Sequence, residues 1–200
     1  MFKTTAPVVT GISKFISNFF NPLTSLLIYF LYFSTENYSL SEASGRFLPI
    51  LLLTVSPISF WIFWNVKKGH YSNMDVSNRN QRKSLYFFIA GAMIAYLLFD
   101  YFKNETLDIV MFFLLILLLI LQLSNYFIKS SMHTAFNVFV AALFFSENTM
   151  FGIIWLGIAV LVGITRIILK RHTPREVLTG FAIAGLVSFA YLYAYIQVQH

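Results

Sequence analysis

Residues 107–128 of the chain read LDIVMFFLLILLLILQLSNYFI, an apolar run long enough to cross a lipid bilayer. Crossing the hydrocarbon layer takes about 20 helical residues at a rise of roughly 1.5 Å each. Similar runs, separated by polar clusters, cover residues 47–66, 85–102, 135–145, 151–169 and 177–198, and a further run ends near Phe33. The sequence therefore predicts an all-α, polytopic transmembrane helix bundle of six to seven spans.

The composition excludes an ordinary soluble domain. Of the 200 residues, 58% are hydrophobic and 11% are charged, whereas soluble domains carry roughly a quarter of charged residues. The 23 Phe, 11 Tyr and 3 Trp are too many for a disordered chain. Because cysteine is absent, disulfide frameworks, thiolate zinc sites and cysteine nucleophiles are excluded. We expect one integral membrane domain over residues 1–200, without a secretory signal peptide.

Residues 8–20 form an amphipathic pattern ahead of the first span. Apolar residues recur at helical spacing, and Ser13, Lys14 and Ser17 lie between them. Such a pattern is typical of a helix at the membrane interface. Asn21 and Pro22 then fit the cap and first residue of a short span. We expect a short N-terminal interfacial helix. If the run that follows it and ends near Phe33 only dips into the membrane, the chain has six spans rather than seven.

Two local patterns predict how the last helices begin and pack. The run at 135–145 is short for a span, and we expect it to begin near Ser131, with serine as its N-cap. In the last span Gly180, Ala184 and Ser188 recur every four residues. Small residues at this spacing let helices approach closely in lipid, so they predict a packing seam.

With alternating spans, the polar connections sort onto two faces of the membrane. One of them, the basic face, carries twelve of the fourteen Lys and Arg residues and only two acidic residues, Asp75 and Glu176. The twelve are Lys3, Lys14, Lys67, Lys68, Arg79, Arg82, Lys83, Lys129, Arg166, Lys170, Arg171 and Arg175. This bias follows the positive-inside rule. Arginine also binds oxyanions through two parallel hydrogen bonds, so the same face fits a phosphate site.

Histidines accompany the arginines on the basic face. His70, His133 and His172 all fall there, whereas a histidine at a span boundary is by itself a weak signal. His172 follows Arg166 by six positions and precedes Glu176 by four. The 39 positions from His133 to His172 fit two spans, out and back, so both histidines are expected at the same face.

The segment TRIILKRHTPRE at 165–176 resembles the type-2 phosphatidic acid phosphatase superfamily of membrane lipid-phosphate phosphatases, and its bacterial members in particular. The third signature of that family is S-R-x5-H-x3-D, and here Thr and Glu replace Ser and Asp. The second, P-S-G-H, is similar to SSMH at 130–133. The first, K-x6-R-P, is approximated by Arg79 and Arg82, with Lys67 and Lys68 as the nearest lysines. The resemblance spans a motif-bearing core of about 67–180.

The resemblance implies a metal-independent, cofactor-free hydrolysis through a phosphohistidine. His172 would be the nucleophile, and Glu176 would accept its other ring N–H. His133 would protonate the leaving oxygen and then activate water. The residues implied to bind phosphate are Arg166, Arg79, Arg82, Ser131 and Lys68. The implied substrate is a lipid phosphate or a prenyl diphosphate held in the bilayer, such as phosphatidic acid, phosphatidylglycerophosphate or undecaprenyl diphosphate.

Other interpretations of the same residues stay open. Thr173 and Glu176 form a capping-box pattern with Pro174 at the first helical position, and Ser131 fits a cap as well as a phosphate ligand. Zinc binding by His133, His172 and Glu176 is the weaker alternative, because H-E-x-x-H and an acidic cluster are absent.

The chain also fits classes other than an enzyme. A non-catalytic protein of the same fold would bind lipid phosphate without hydrolysing it, since two of the signatures are incomplete. A transporter would carry ionisable residues in mid-span, whereas here the charges cluster at span ends. Nucleic acid is excluded as a partner, because the basic residues lie on membrane loops.

We expect a multi-pass protein of the bacterial inner membrane. Two arguments disagree on which side of that membrane the basic face lies. The charge bias places the basic face in the cytoplasm, whereas most members of the resembled family have an extracytoplasmic site. The charge count favours the cytoplasm, because four of its lysines need no catalytic role: Lys3, Lys14, Lys83 and Lys129. A tag on the amino terminus should therefore be protected from a membrane-impermeant label in intact cells. Labelling from outside would contradict the cytoplasmic placement.

Overall fold

The computed structural model describes residues 7–76 and 78–199, so Lys3 of the basic face lies outside the described residues. The described residues are helical without any strand, which confirms the all-α prediction. Their α-helices are α1 (Pro7–Phe19), α2 (Pro22–Asn37), α3 (Leu40–Ile50), α4 (Ser56–Lys67), α5 (Arg79–Asn104), α6 (Ile109–Ser124), α7 (Met132–Glu147), α8 (Thr149–Ile168) and α9 (Pro174–Gln199). A π-helical turn at Leu51–Val55 joins α3 to α4.

Four helical segments in the described chain are long and apolar enough to cross a membrane. They are Leu40–Lys67, Arg79–Asn104, Thr149–Ile168 and Pro174–Gln197. The pair α1 and α2 makes a fifth candidate if it is counted as one span, although it is bent by 55°. These four or five segments identify an integral membrane protein, and the predicted total of six to seven spans is not confirmed.

The predicted runs at 107–128 and 135–145 form helices of 16 residues each. Such a helix is about 24 Å long at roughly 1.5 Å per residue, less than a typical hydrocarbon layer. Asp108 delays the start of α6, because its carboxylate caps the helix by accepting the Met111 N–H at 2.9 Å. In α7 every residue from Thr134 to Phe144 is buried. This apolar helix is therefore surrounded by protein, as expected of a core helix.

The chain divides into two compact units. The terminal unit combines the segment up to Tyr32 with the segment from Ile128 onward, and it contains α1, the start of α2, and α7 to α9. The central unit, Phe33–Phe127, contains α3 to α6 and the end of α2.

Within the terminal unit α7 packs against both α8 and α9. Gly180, Ala184 and Ser188 of α9 are all buried, which confirms the predicted packing seam. A Cβ atom on Gly180 would lie 2.7 Å from the carbonyl oxygen of Ser131, closer than such atoms approach. The absence of a side chain at Gly180 therefore allows α9 to contact the backbone at the start of α7.

Helix α1 is present as predicted, but two of its polar residues, Ser13 and Ser17, are buried rather than turned to water, whereas Lys14 and Asn18 are exposed. Ser13 and Ser17 are 3% and 1% exposed, and α1 packs against α8. Its apolar side chains are exposed instead, including Val8, Ile12 and Phe15. A helix lying at the interface would turn its serines to water. The opposite orientation fits a helix whose outer surface contacts lipid.

Asn137 in α7 is fully buried and joins four parts of the terminal unit. Its Nδ2 donates to the carbonyl oxygens of Phe20 at 2.9 Å and His133 at 2.8 Å. Its Oδ1 accepts from Ser25 Oγ at 2.9 Å and Trp155 Nε1 at 3.2 Å. The Phe20 carbonyl lies at the break between α1 and α2, and a broken helix in a membrane must find such partners.

Replacing Gly180 by alanine should destabilise the terminal unit. The added methyl group would press on the Ser131 backbone, and overpacking of this kind costs about 1–3 kcal/mol. Gly185→Ala is the matched control on the same helix, because its Cβ meets no atom within 4 Å. Thermal unfolding in detergent should show a lower midpoint for Gly180→Ala and an unchanged or higher one for Gly185→Ala. Equal midpoints would contradict the close contact.

Candidate active site

The turn between α8 and α9 fixes the backbone of His172 beside Arg166. The Arg171 N–H donates to the Arg166 carbonyl oxygen at 3.0 Å, and the Lys170 N–H donates to that of Ile167 at 2.9 Å. Lys170 has φ +54°, so the turn is a Schellman motif with lysine where glycine is usual. The His172 N–H also reaches the Arg166 carbonyl at 3.2 Å. Both Arg166 and His172 are buried, at 3% and 5% exposure.

One carboxylate oxygen both orients His172 and caps α9. Glu176 Oε2 lies 3.0 Å from His172 Nδ1 and accepts the Thr173 N–H at 3.0 Å. The Thr173 Oγ1 in turn accepts the Glu176 N–H at 3.3 Å, which completes a capping box. Glu176 therefore both caps α9 and contacts His172, the two alternatives that the sequence left open. An ionised carboxylate only accepts hydrogen bonds, so the proton of a neutral His172 lies on Nδ1 and the lone pair on Nε2.

Ser131 connects the start of α7 to the start of α9. Its N–H donates to the Glu176 carbonyl oxygen at 3.0 Å. Its Oγ accepts from the N–H and the hydroxyl of Thr134, at 3.4 Å and 3.0 Å, as an N-cap. The predicted cap is confirmed, and phosphate binding by Ser131 stays a prediction. His133, two residues further on, is half-buried at the same end of the helices.

Arg166 is in contact with a residue that the sequence did not point to. Its Nη1 donates to Ser17 Oγ of α1 at 3.1 Å. The spacing of Ser13 and Ser17 marks one face of α1, but it does not tell whether that face meets water or a buried arginine. The terminal unit thus brings five predicted residues to one end of its helices and adds Ser17. The five are His172, His133, Glu176, Arg166 and Ser131.

Arg79 and Arg82 lie in the central unit and bind backbone carbonyls there. Arg79 donates from Nε to the Asn125 carbonyl oxygen at 2.6 Å and from Nη2 to that of Tyr126. Arg82 is 3% exposed, and its Nε donates to the Val76 carbonyl oxygen at 3.0 Å. These bonds fix the start of α5 within its unit. The predicted role of both arginines in phosphate binding stays a prediction.

Lys68 is exposed at the end of α4, also in the central unit. Its Nζ lies 4.8 Å from the ring centroid of Trp64, a cation–π contact. Tryptophan and lysine are typical of the membrane–water boundary. Neighbouring His70 contacts the Asn65 Oδ1 through Nδ1 at 3.2 Å, so this histidine has a local structural partner.

The alternative of a metal site finds no geometric support in the part of the chain that the structure describes. Within residues 7–76 and 78–199, no three His, Asp or Glu side chains lie close enough together to hold a metal ion. His133, His172 and Glu176 therefore do not form a ligand set.

The contact with Glu176 should keep neutral His172 protonated at Nδ1. Nitrogen-15 NMR of histidine-labelled protein, with the signal assigned through His172→Asn, should show a protonated Nδ1 and an unprotonated Nε2. Glu176→Ala should allow the other tautomer, whereas Thr173→Ala removes a capping hydroxyl and should leave the tautomer unchanged. An Nε2-protonated wild-type His172 would contradict the proposed direction of this hydrogen bond.

Residues 123–199 match the sequence profile of the PAP2 superfamily. The matched range contains the five residues that the terminal unit brings together, whereas Lys68, Arg79 and Arg82 precede it. Neither the curated proteins nor the solved structures yield a match to the chain. The match confirms the resemblance to the type-2 phosphatidic acid phosphatase superfamily found at residues 130–133 and 165–176, and it covers the carboxy-terminal part of the chain, residues 123–199.

Proposed function

We propose that the protein is a metal-independent membrane phosphatase that hydrolyses a lipid phosphate or prenyl diphosphate through a phosphohistidine. The match of residues 123–199 to a superfamily of enzymes that generally hydrolyse phosphoesters supports phosphatase activity. The observation that carries the proposal is the contact of His172 Nδ1 with Glu176 Oε2 at 3.0 Å, in which His172 is buried and Glu176 is partly exposed. With Nδ1 engaged by the carboxylate, the lone pair of a neutral His172 lies on Nε2, as a nucleophile requires.

In the first step, Nε2 of His172 attacks phosphorus in line with the leaving oxygen. A P–N bond forms, the P–O bond breaks, and His133 gives a proton to the leaving oxygen. In the second step, His133 takes a proton from water, which attacks the same phosphorus. The P–N bond then breaks, and inorganic phosphate and free His172 result.

Charge stabilisation comes from the carboxylate and the guanidinium groups. Glu176 stabilises the positive ring that forms when His172 bonds to phosphorus, as the carboxylate of a catalytic triad does. Arg166 binds the non-bridging oxygens, over which the transition state spreads negative charge. The family resemblance supports Arg79, Arg82, Lys68 and Ser131 as proposed phosphate-binding residues as well.

A lipid substrate is supported by the surface of α1. This helix contacts Arg166 through Ser17, and its other face exposes apolar side chains that include Phe15 and Phe19. A helix with such a surface suits contact with lipid, and a substrate whose acyl or prenyl chain stays in the bilayer fits a site beside it. Phosphatidic acid, phosphatidylglycerophosphate and undecaprenyl diphosphate all meet this requirement. We also propose the bacterial inner membrane as the location, with six to seven crossings.

A second candidate is a protein that binds lipid phosphate without hydrolysing it. In the family signature a glycine precedes the histidine, and it lets backbone N–H groups approach the phosphate closely. Here Met132 occupies that position, and the N–H of Ser131 is bonded to the Glu176 carbonyl oxygen. One backbone donor of this loop is therefore already in use.

Purified protein in detergent should release phosphate from a panel of these lipids in the presence of EDTA. His172→Ala should lower the rate by at least about 10³-fold, because the loss of a nucleophile removes the covalent pathway. His70→Ala is the matched control, since His70 contacts Asn65 in the central unit. Full activity of His172→Ala would disprove the nucleophile. Lipid binding without release would favour the second candidate, and tracer flux in liposomes without release would identify a transporter.

His133→Ala should slow release most for substrates with poor leaving groups. General acid catalysis contributes about 10²–10⁴-fold, and it matters less when the leaving oxygen is already a weak base. Rates for an alkyl phosphate and an aryl phosphate, compared in wild type and variant, measure this difference. An equal loss for both substrates would contradict protonation of the leaving group by His133.

A further inference from the structure

Arg166 is fixed at both ends of its side chain. At the backbone, its carbonyl oxygen accepts the N–H groups of Arg171 and His172, which places it in the turn that carries the nucleophile. At the far end, Nη1 donates to Ser17 Oγ at 3.1 Å. Arg166 and Ser17 are 3% and 1% exposed, so solvent competes little for this hydrogen bond. The two residues are 149 positions apart, so the contact depends on the docking of α1 against α8.

A hydroxyl group is a suitable anchor for an arginine that must bind phosphate. A long arginine side chain loses rotamer entropy when it is fixed in one conformation. A contact that fixes it before substrate arrives removes part of that cost from binding. Serine is neutral, so it orients the guanidinium plane without cancelling its charge, whereas a carboxylate would compete with the phosphate.

We propose that Ser17 is a positioning residue that holds the guanidinium of Arg166 in the orientation that binds the substrate phosphate. This inference rests on the proposed function and extends it to α1, which lies outside residues 123–199 of the superfamily match. The amino-terminal helix is thereby a wall of the phosphate site. Its serine face contacts the arginine, and its exposed apolar face is available to the lipid chain.

The test compares Ser17→Ala with Ser13→Ala. Ser13 lies one turn earlier on the same face and is 3% exposed, so its replacement changes helix packing to a similar extent. Hydrogen bonds to charged groups contribute about 1.5–3 kcal/mol, so Ser17→Ala should lower kcat/KM by at least about tenfold. Ser13→Ala should stay within about threefold of wild type, because it leaves the hydrogen bond between Ser17 and Arg166 in place. Ser17→Thr keeps the hydroxyl group and should recover most of the loss.

Inhibition by inorganic phosphate separates positioning from general destabilisation. If Ser17 orients Arg166, Ser17→Ala should weaken phosphate inhibition, whereas Ser13→Ala should leave it unchanged and Ser17→Thr should restore it. Equal losses of kcat/KM in the two alanine variants would overturn the proposal, because they would reflect packing of α1 alone. Unchanged kcat/KM in Ser17→Ala would overturn it as well.

Binding measurements distinguish failure of this inference from failure of the proposed function. If wild-type protein releases no phosphate, the proposed hydrolysis is wrong, and equilibrium binding of a short-chain phosphatidic acid in detergent then becomes the readout. Weaker binding by Ser17→Ala, but not by Ser13→Ala, would support positioning in a non-catalytic site. Equal binding by all three proteins, or no binding by wild type, would overturn the inference.

Discussion

The hydrogen bonds of Asn137 are the constraint on which the terminal unit depends. A buried amide has two donors and two acceptor positions, and here all four are used by Phe20, His133, Ser25 and Trp155. In a low-dielectric interior, an unmatched polar group would cost several times what one such bond contributes. These bonds hold the break between α1 and α2 against α7. Asn137 lies one helical turn after His133 of the candidate site. Docking of α1, and with it the Ser17 contact, follows from that break.

At the start of α9, one residue both stabilises the helix and contacts a residue of the candidate site. Glu176 Oε2 caps the helix through the Thr173 N–H and orients His172, and the Glu176 carbonyl accepts the N–H of Ser131. The two segments that match the superfamily signatures are therefore joined by the same residue that contacts the His172 ring. A carboxylate in this position cannot be removed without loosening the helix start. The hydroxyl group of Thr173 accepts the Glu176 N–H. Replacing Thr173 therefore weakens the helix cap while the carboxylate that contacts His172 stays in place.

Local sequence patterns predicted several local features. The resemblance to the superfamily implied that Glu176 would accept a ring N–H of His172, and Glu176 Oε2 lies 3.0 Å from His172 Nδ1. Long apolar runs likewise predicted α8 and α9. Periodicity could not tell which face of α1 is buried, because the partner of its serines, Arg166, is 149 positions away from Ser17. Nor could hydropathy reveal that Asp108 caps α6 within an apolar run and shortens it.

The outward apolar face of α1 has a consequence for handling the protein. A helix of 13 residues is too short to persist alone in water, so its order depends on docking and on an apolar surrounding. A detergent that strips lipid from Val8, Ile12 and Phe15 and lets α1 detach would withdraw the hydroxyl group from Arg166. The contacts of α7 with α8 and α9 do not involve α1. The choice of detergent can therefore inactivate the candidate site by detaching α1. Mild detergent micelles or lipid nanodiscs are the appropriate surroundings for the protein.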